Sequence, residues 1–279
     1  VEPGLKAVRQ ICIVSLFMLS IFAQADSAST QHAKVELISD TASIKPGQDL
    51  RLGVHYTLDQ GWHVYWINPG DSGQPPSFQW QLPTGFQTGE VEWPRPERLS
   101  SSQLVDYGYK DDVLFVVPVH APANLPGSAP IPISLDAKWL ICREVCIPDR
   151  TQLHLSLPVS SSAPRTAEHA GLFTRAKALL PKTAPKRWKT SVQSQKENFV
   201  LTVNARRPIR SATFFPRDPG QIENAAPQKA VSTPTGVRIT LKRSEVLVKS
   251  ISTLRGLLEI AGGEAYEIEA PVSSENAQK

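Results

Sequence analysis

The sequence predicts an all-β protein: a first β-sandwich, a linker carrying one helix, and a second, smaller β-sandwich. Three observations carry this expectation. Apolar residues recur at every second position in short segments, which is the period of a half-buried strand. Prolines, 24 among 279 residues, punctuate those segments, and proline is tolerated at the edges of strands rather than in the middle of helices. A helical period is found in one stretch. Apolar residues make up 41% of the chain, enough to build cores, and the length suits two domains or one large β domain.

The amino terminus reads as an export signal over residues 1–25. Lys6 and Arg9 give a positive start, "ICIVSLFMLSIFA" from Ile11 to Ala23 is apolar, and Ala23-Gln24-Ala25 is a small-x-small cleavage site ahead of Asp26. The apolar run is shorter than the roughly 20 residues that span a bilayer, so cleavage is favoured over an uncleaved anchor. The expectation is a periplasmic protein with no direct membrane span after signal cleavage.

From Lys34 the strand period begins. "KVELIS" sets Val35 and Leu37 on one face, and "IKPGQDLRLGVHYTL" turns at Pro46-Gly47 before Leu50, Leu52, Val54 and Tyr56 alternate. "GWHVYWINPGDSGQPP" is a strand followed by a loop of turn formers, Asn68 to Pro76. "SFQWQLP" and "TGEVEWPRP" read as short strands, and "DVLFVVPVHAP" as a strongly apolar one. "IPISLDAKWLIC" and "TQLHLSLPV" alternate on either side of the cysteines. Seven or eight strands over residues 33–160 is the count of an immunoglobulin-like sandwich.

A linker over residues 161–186 follows. Within it Leu172, Phe173, Ala176, Leu179 and Leu180 fall at helical spacing, and Pro181 stops the helix. Residues 187–273 return to alternation in "FVLTVNA", "SATFFPRD", "GVRITLKRS", "LRGLLEIAGG" and "AYEIEAPV". Residues 274–279 are expected to be a disordered tail. The net charge is +4, spread over both signs, and no basic stripe interleaves with aromatics, so nucleic acid is not an expected partner.

Chemistry concentrates in "LICREVCIP". Loss of residues 1–25 removes Cys12 and leaves Cys142 and Cys146, an even number in an oxidising compartment, for which one intramolecular bridge is the simplest outcome. The flanking strands are expected to form a hairpin with the cysteines at its tip. An extended chain would hold their Cα atoms about 13 Å apart, so a helical turn or tight loop is required for bonding. A loop this short gains only about 2 kcal/mol from a bridge, against nearly 5 for a 100-residue loop. The pair is thus a poor staple and a plausible exchange site.

Three readings stay open on the residues alone. One is redox exchange. Another is a structural bridge in a non-catalytic exported adaptor. The last is copper(I) binding by two soft sulfurs. Zinc lacks ligands, because His55, His63, His120 and His154 are scattered. Around the pair, Lys138, Arg143 and Arg150 favour a thiolate while Glu144 and Asp149 oppose it. In "GWHVYW", Trp62, Val64 and Trp66 share one face and His63, Tyr65 and Ile67 the other, as core or as walls of the cysteine tip. "DYGYKDD", Asp106 to Asp112, reads as a turn, or as a flap over the sulfurs.

These stretches resemble a known family. "GWHVYW" with Asn68-Pro69-Gly70-Asp71-Ser72-Gly73, "DYGYKDDVLFVVPV" and "AKWLICREVCIP" are similar to the amino-terminal periplasmic domain of the DsbD family, in the branch related to the ScsB proteins of copper-tolerance systems. The resemblance covers about Val35–Val159, and "LRGLLEIAGGEAYEIEAPV" looks like the second periplasmic module of that branch. It implies an immunoglobulin-like fold with redox cysteines Cys142 and Cys146 on a hairpin. A cap loop at Asp106, Tyr107, Gly108 and Tyr109 would cover them, with Trp62, Tyr65 and Trp139 in support. It implies a protein-disulfide reductase component with no cofactor beyond its disulfide, in electron transport of the kind that serves cytochrome c biogenesis. The implied partners are thioredoxin-like periplasmic domains and a DsbD-type membrane electron transporter. The familiar cap carries Phe where Asp106 stands, and familiar cysteine pairs are farther apart.

Overall fold

The computed structural model describes residues 26–101, 103–125, 129–162 and 166–274. The expected export signal and the tail beyond Ser274 lie outside the described residues. Among the described residues eleven strands precede the helix: β1 (Asp26–Ser29), β2 (Ala33–Ser39), β3 (Asp49–Leu58), β4 (His63–Gly70), β5 (Ser77–Gln81), β6 (Gln87–Thr88), β7 (Glu97–Ser101), β8 (Leu104–Lys110), β9 (Asp112–His120), β10 (Ile131–Cys142) and β11 (Cys146–Leu157). Helix α1 (Ala170–Leu179) follows. Then come β12 (Lys182–Thr183), β13 (Lys189–Ser194), β14 (Asn198–Asn204), β15 (Ala212–Pro216), β16 (Lys229–Thr233), β17 (Gly236–Lys242), β18 (Thr253–Ile260) and β19 (Ala265–Ser274).

The first eleven strands make two sheets, ordered β1-β2-β3-β9-β6 and β11-β10-β4-β8-β7, with β5 also paired to β10. Register explains the core between them. β3 and β9 align Leu52 with Val117, Val54 with Phe115 and Tyr56 with Val113, so alternate residues of both strands face inward. They meet Val64, Trp66, Tyr107, Leu135 and Trp139 from the other sheet in one apolar cluster.

Two local readings differ from the structure. "TGEVEWPRP" forms no continuous strand: Thr88 ends the two-residue β6, Glu92 makes an isolated bridge to Val116, and Pro94 and Pro96 offer no ladder donors beyond it. "DYGYK", expected as a turn or flap, lies in the interior strand β8, paired with β4 on one side and β7 on the other. Its Gly and Asp suggest a turn locally, but Val105, Tyr107 and Tyr109 alternate into the core and long-range pairing wins. The turn comes later, at Asp111, with φ of 59°.

Helix α1 lies on the outer face of the first sheet. Phe173 and Ala176 are buried against Ile38, Leu114 and Val116, while Leu179 is exposed. Gly53 makes room, since a Cβ there would come within 2.9 Å of the Phe173 ring.

The second unit departs from the expected sandwich. It is one mixed sheet, ordered β15-β18-β19-β13-β14-β17-β16. The long β19 takes β18 antiparallel on one side and both β12 and β13 parallel on the other, so the sheet never divides. It curls until β15 approaches β17, around its own core of residues such as Phe199, Ile239, Leu258 and Ile268. Ser274 is still paired, with Ser194, so the ordered chain runs one residue past the expected boundary.

The two units touch closely. Phe215 and Leu257 join the core of the first. Asn68 donates its side-chain N–H to the carbonyl of Pro216 at 2.7 Å, and Arg95 pairs with Glu259.

Candidate redox site at a hairpin tip

β10 and β11 form a hairpin whose register ends at Cys142 opposite Cys146. Three residues, Arg143 to Val145, make the connection, closed by Arg143 N–H donating to Val145 O at 3.2 Å. Of the helical turn and the tight loop that the spacing allowed, the structure has the tight loop. It brings the Cα atoms to 4.2 Å, and the sulfurs are bonded at 2.06 Å.

The two sulfurs differ in surroundings. Cys142 is 2% exposed, because β10 is an interior strand and Cys142 is also flanked by His63 of β4. Cys146 is exposed, because β11 is the edge of its sheet. A recess of about 290 Å³ beside them is lined by both cysteines together with His63, Tyr65, Ser72, Asp106, Arg143 and Glu144. A larger recess, about 470 Å³, is lined by Lys138, Trp139, Pro148, Asp149 and Arg150, and neither sulfur reaches it. Of the charges expected around the pair, only Arg143 and Glu144 therefore border the sulfur-lined recess.

Tyr65 connects the recess to the bond. Its hydroxyl lies 3.4 Å from the Cys146 Sγ and 3.4 Å from the Ser72 Oγ. Ser72 Oγ donates to Asp106 Oδ2 at 2.8 Å, and Ser72 N–H donates to Asp106 Oδ1 at 2.9 Å. The serine proton is thus committed to the carboxylate, which leaves Tyr65 as donor to either serine or sulfur. Burial raises the Tyr65 pKa above the usual phenol range; the Ser72 hydrogen bond opposes and the Asp106 charge adds to the rise. The hydroxyl keeps its proton at neutral pH.

His63 sits beside this chain. Its Nε2 is buried without a hydrogen-bond partner, 3.9 Å from Asp106 Oδ2, and its ring meets that of Tyr65 edge-on at 5.1 Å. Burial lowers its pKa, Asp106 opposes this and Lys110 adds to it, so the imidazole is neutral at pH 7.

The loop after β4 is shaped by glycine. Gly70 and Gly73 have φ of 94° and 76°. A Cβ on Gly73 would lie 2.1 Å from the Tyr65 ring, so only glycine lets the loop close over the phenol. Asp71 fixes that loop to β8: its Oδ2 accepts Val105 N–H at 2.8 Å and its own N–H donates to Val105 O at 3.0 Å.

The structure brings Cys142, Cys146, Tyr65 and Asp106 together and leaves the other candidates elsewhere. Asp106 to Tyr109 form no loop over the sulfurs. Tyr107 and Tyr109 are buried, with hydroxyls donating to Asn224 Oδ1 at 3.1 Å and Pro94 O at 2.7 Å. Gly108 approaches β4 so closely that a Cβ would meet Val64 O at 2.2 Å. Strand β8 cannot swing away as a flap without losing both ladders. Trp139 is a core residue, edge-on to Tyr56 at 5.3 Å. Trp62 stacks on His32 at 3.7 Å and carries the Arg143 guanidinium 5.5 Å above its ring, so it supports the connection rather than the sulfurs. Sequence reasoning offered His63 as core or as a wall of the cysteine tip, and the structure makes it a wall; the role of Ser72 was missed. Among the described residues no cluster of three or more His, Cys, Asp or Glu is placed to hold a metal ion. No helix there is long and apolar enough to cross a membrane.

Fold and site together define an all-β domain that carries a local disulfide at an accessible hairpin tip. Residues 34–158 match the family described as "Thiol:disulfide interchange protein DsbD, N-terminal". The chain is also similar in structure to the N-terminal periplasmic domain of ScsB from Proteus mirabilis. There the TM-score is 0.68 and the identity 16%, over 88% of this chain and 97% of that one. At that identity the likeness speaks for the shared fold. The periplasmic chaperone SfaE aligns over 86% of this chain and all of its own, at 10% identity and a TM-score of 0.23, too loosely to carry an argument. A search of curated proteins finds no match.

Proposed function

We propose that the chain is a periplasmic thiol–disulfide interchange protein that relays reducing equivalents through Cys142 and Cys146. The observation that carries the reading is the asymmetry of the bridge: one sulfur exposed on an edge strand, the other buried beside it, over a recess lined by a hydroxyl donor. The family match of residues 34–158 supports it. In this reading residues 33–160 are an immunoglobulin-like sandwich, 161–186 a linker and 187–273 a second β domain. Partners are thioredoxin-like periplasmic domains, supplied by a DsbD-type membrane electron transporter. Exposed Leu104 and Val145 give the site an apolar rim for such a domain.

The exchange runs in two displacements. A carrier thiolate attacks Cys146 Sγ, the S–S bond breaks, and Cys142 leaves as a thiolate that takes up one proton. The second thiol of the carrier loses its proton and attacks the carrier sulfur of the mixed disulfide. Cys146 then leaves as a thiolate and takes up the second proton. The carrier dithiol is oxidised to a disulfide, and the pair is reduced by two electrons. Client reduction is the reverse sequence on a client disulfide. Tyr65 serves both displacements, because the Cys146 sulfur carries part of the negative charge while it is attacked in the first and leaves as a thiolate in the second. A disulfide sulfur is a weak acceptor and a thiolate a strong one, so its hydroxyl turns from Ser72 to Cys146 as charge appears, with no heavy atom moving.

The test is trapping. Cys142→Ser leaves the accessible sulfur as a thiol, and its thiolate is expected to displace thionitrobenzoate from a thioredoxin-like protein that lacks its resolving cysteine and carries its remaining cysteine as the thionitrobenzoate mixed disulfide, forming a stable mixed disulfide between the two proteins. Cys146→Ser is expected to form none. Failure of both variants to cross-link would overturn the proposal.

A further inference from the structure

We propose that the second unit is a positioning element of the exchange site and that it acts through Asn224. The inference rests on the exchange reading of Cys142 and Cys146 and adds a role for the part of the chain outside the matched family.

Asn224 lies between β15 and β16 and is 5% exposed. All of its polar side-chain atoms are spent on the first unit. Its Nδ2 donates to Asp71 Oδ1 at 2.8 Å, and its Oδ1 accepts from the Tyr107 hydroxyl at 3.1 Å. Its backbone carbonyl accepts from Arg98 Nη2 at 2.7 Å. These contacts reach the loop after β4, β8 and β7, the three segments that border the recess opposite the hairpin. Phe215 reinforces them, with its ring 5.4 Å from that of Tyr107.

From Asn224 a continuous path leads to the sulfur. Asp71 receives the asparagine and is locked to Val105; its neighbour Ser72 is locked to Asp106; Ser72 stands 3.4 Å from the Tyr65 hydroxyl, and that hydroxyl 3.4 Å from Cys146. The loop has two positive-φ glycines and would sample many conformations by itself. Asn224 supplies the donor that satisfies the second oxygen of Asp71. Without it that carboxylate is left short of a partner and is drawn towards water, which moves Ser72 and unseats the donor to Cys146. Asn224 touches neither sulfur, so it is a positioning residue.

The experiment follows reduction of the bridge by dithiothreitol in the full chain. Asn224→Asp removes the donor and faces two carboxylates, and is expected to slow reduction about tenfold. The swap Asp71→Asn with Asn224→Asp restores every hydrogen bond with one reversed in direction, and is expected to return the rate to within about twofold of wild type. Asn224→Ala is expected to slow the wild type but to have no further effect on Tyr65→Phe, a coupling that a general loss of stability would not produce. Wild-type rates in both single variants, failure of the swap to rescue, or additivity with Tyr65→Phe would each overturn the inference. If Asn224→Asp does not fold, the Asn224→Ala and Tyr65→Phe cycle decides alone. A wild-type bridge that dithiothreitol cannot reduce is a different result, which removes the exchange reading itself.

Discussion

Tyr65 stands at equal distance, 3.4 Å, from the sulfur of Cys146 and from the hydroxyl of Ser72. Because Ser72 gives its proton to Asp106, the phenol has one proton and two acceptors whose strengths change with the redox state of the cysteine. Replacing Tyr65 by Phe keeps the buried ring and removes that donor. The expected result is reduction by dithiothreitol slowed tenfold or more, from loss of about 1.5–3 kcal/mol of hydrogen bonding to a charged sulfur. Unfolding stability should move by no more than about 1 kcal/mol. An unchanged rate would mean that the phenol only fills space.

The two cysteines should react unequally once separated. In Cys142→Ser the free thiol at Cys146 is exposed and should be alkylated rapidly by a maleimide. In Cys146→Ser the remaining thiol is 2% exposed and should react at least about tenfold more slowly in the native state. Either variant loses the short bridge and should be less stable by about 2 kcal/mol in denaturant titration. Equal alkylation rates would contradict the asymmetry on which the order of attack rests.

Gly73 tests the shape of the loop. Gly73→Ala forces a side chain into φ of 76° and drives its Cβ into the Tyr65 ring. A loss of at least about 2 kcal/mol is expected, together with slower exchange. A variant as stable and as reactive as wild type would show that the loop does not close on the phenol.

His63 makes the fold sensitive to acid. Its folded pKa lies below the model-peptide value of 6.5, chiefly because burial disfavours the imidazolium. Between the folded and unfolded values the unfolded chain binds more protons, so stability falls as pH drops below 6.5 and levels off below the folded value. His63→Gln should remove this part of the pH dependence. Comparison of denaturant midpoints for the two proteins between pH 7.5 and about 5 measures it. Parallel curves would place the acid sensitivity on other groups.

Much of this molecule is legible in its sequence where the signal is local. Alternation locates β2, β3, β9 and β10, and the placement of two cysteines between alternating segments gives the hairpin tip and its bridge. Strand β8 is misread because Tyr-Gly-Tyr beside two aspartates has local turn chemistry, while the ladders that hold it come from β4 and β7. The second sandwich fails for a related reason. Alternation gives strands but not partners, and the parallel pairing of β13 with β19 joins segments about 80 residues apart. The pair Cys142 and Cys146 is readable, and so is Tyr65 on the face away from Trp62 and Trp66. Asn224 is not readable: it meets Asp71 across 153 residues, and no spacing or composition announces that contact.

The reduction potential of the Cys142–Cys146 pair tests the central claim most directly. A pair that exchanges with thioredoxin-like carriers should equilibrate with glutathione or thioredoxin at a potential above about −250 mV. A potential below about −300 mV is that of a structural bridge, and it would contradict the account.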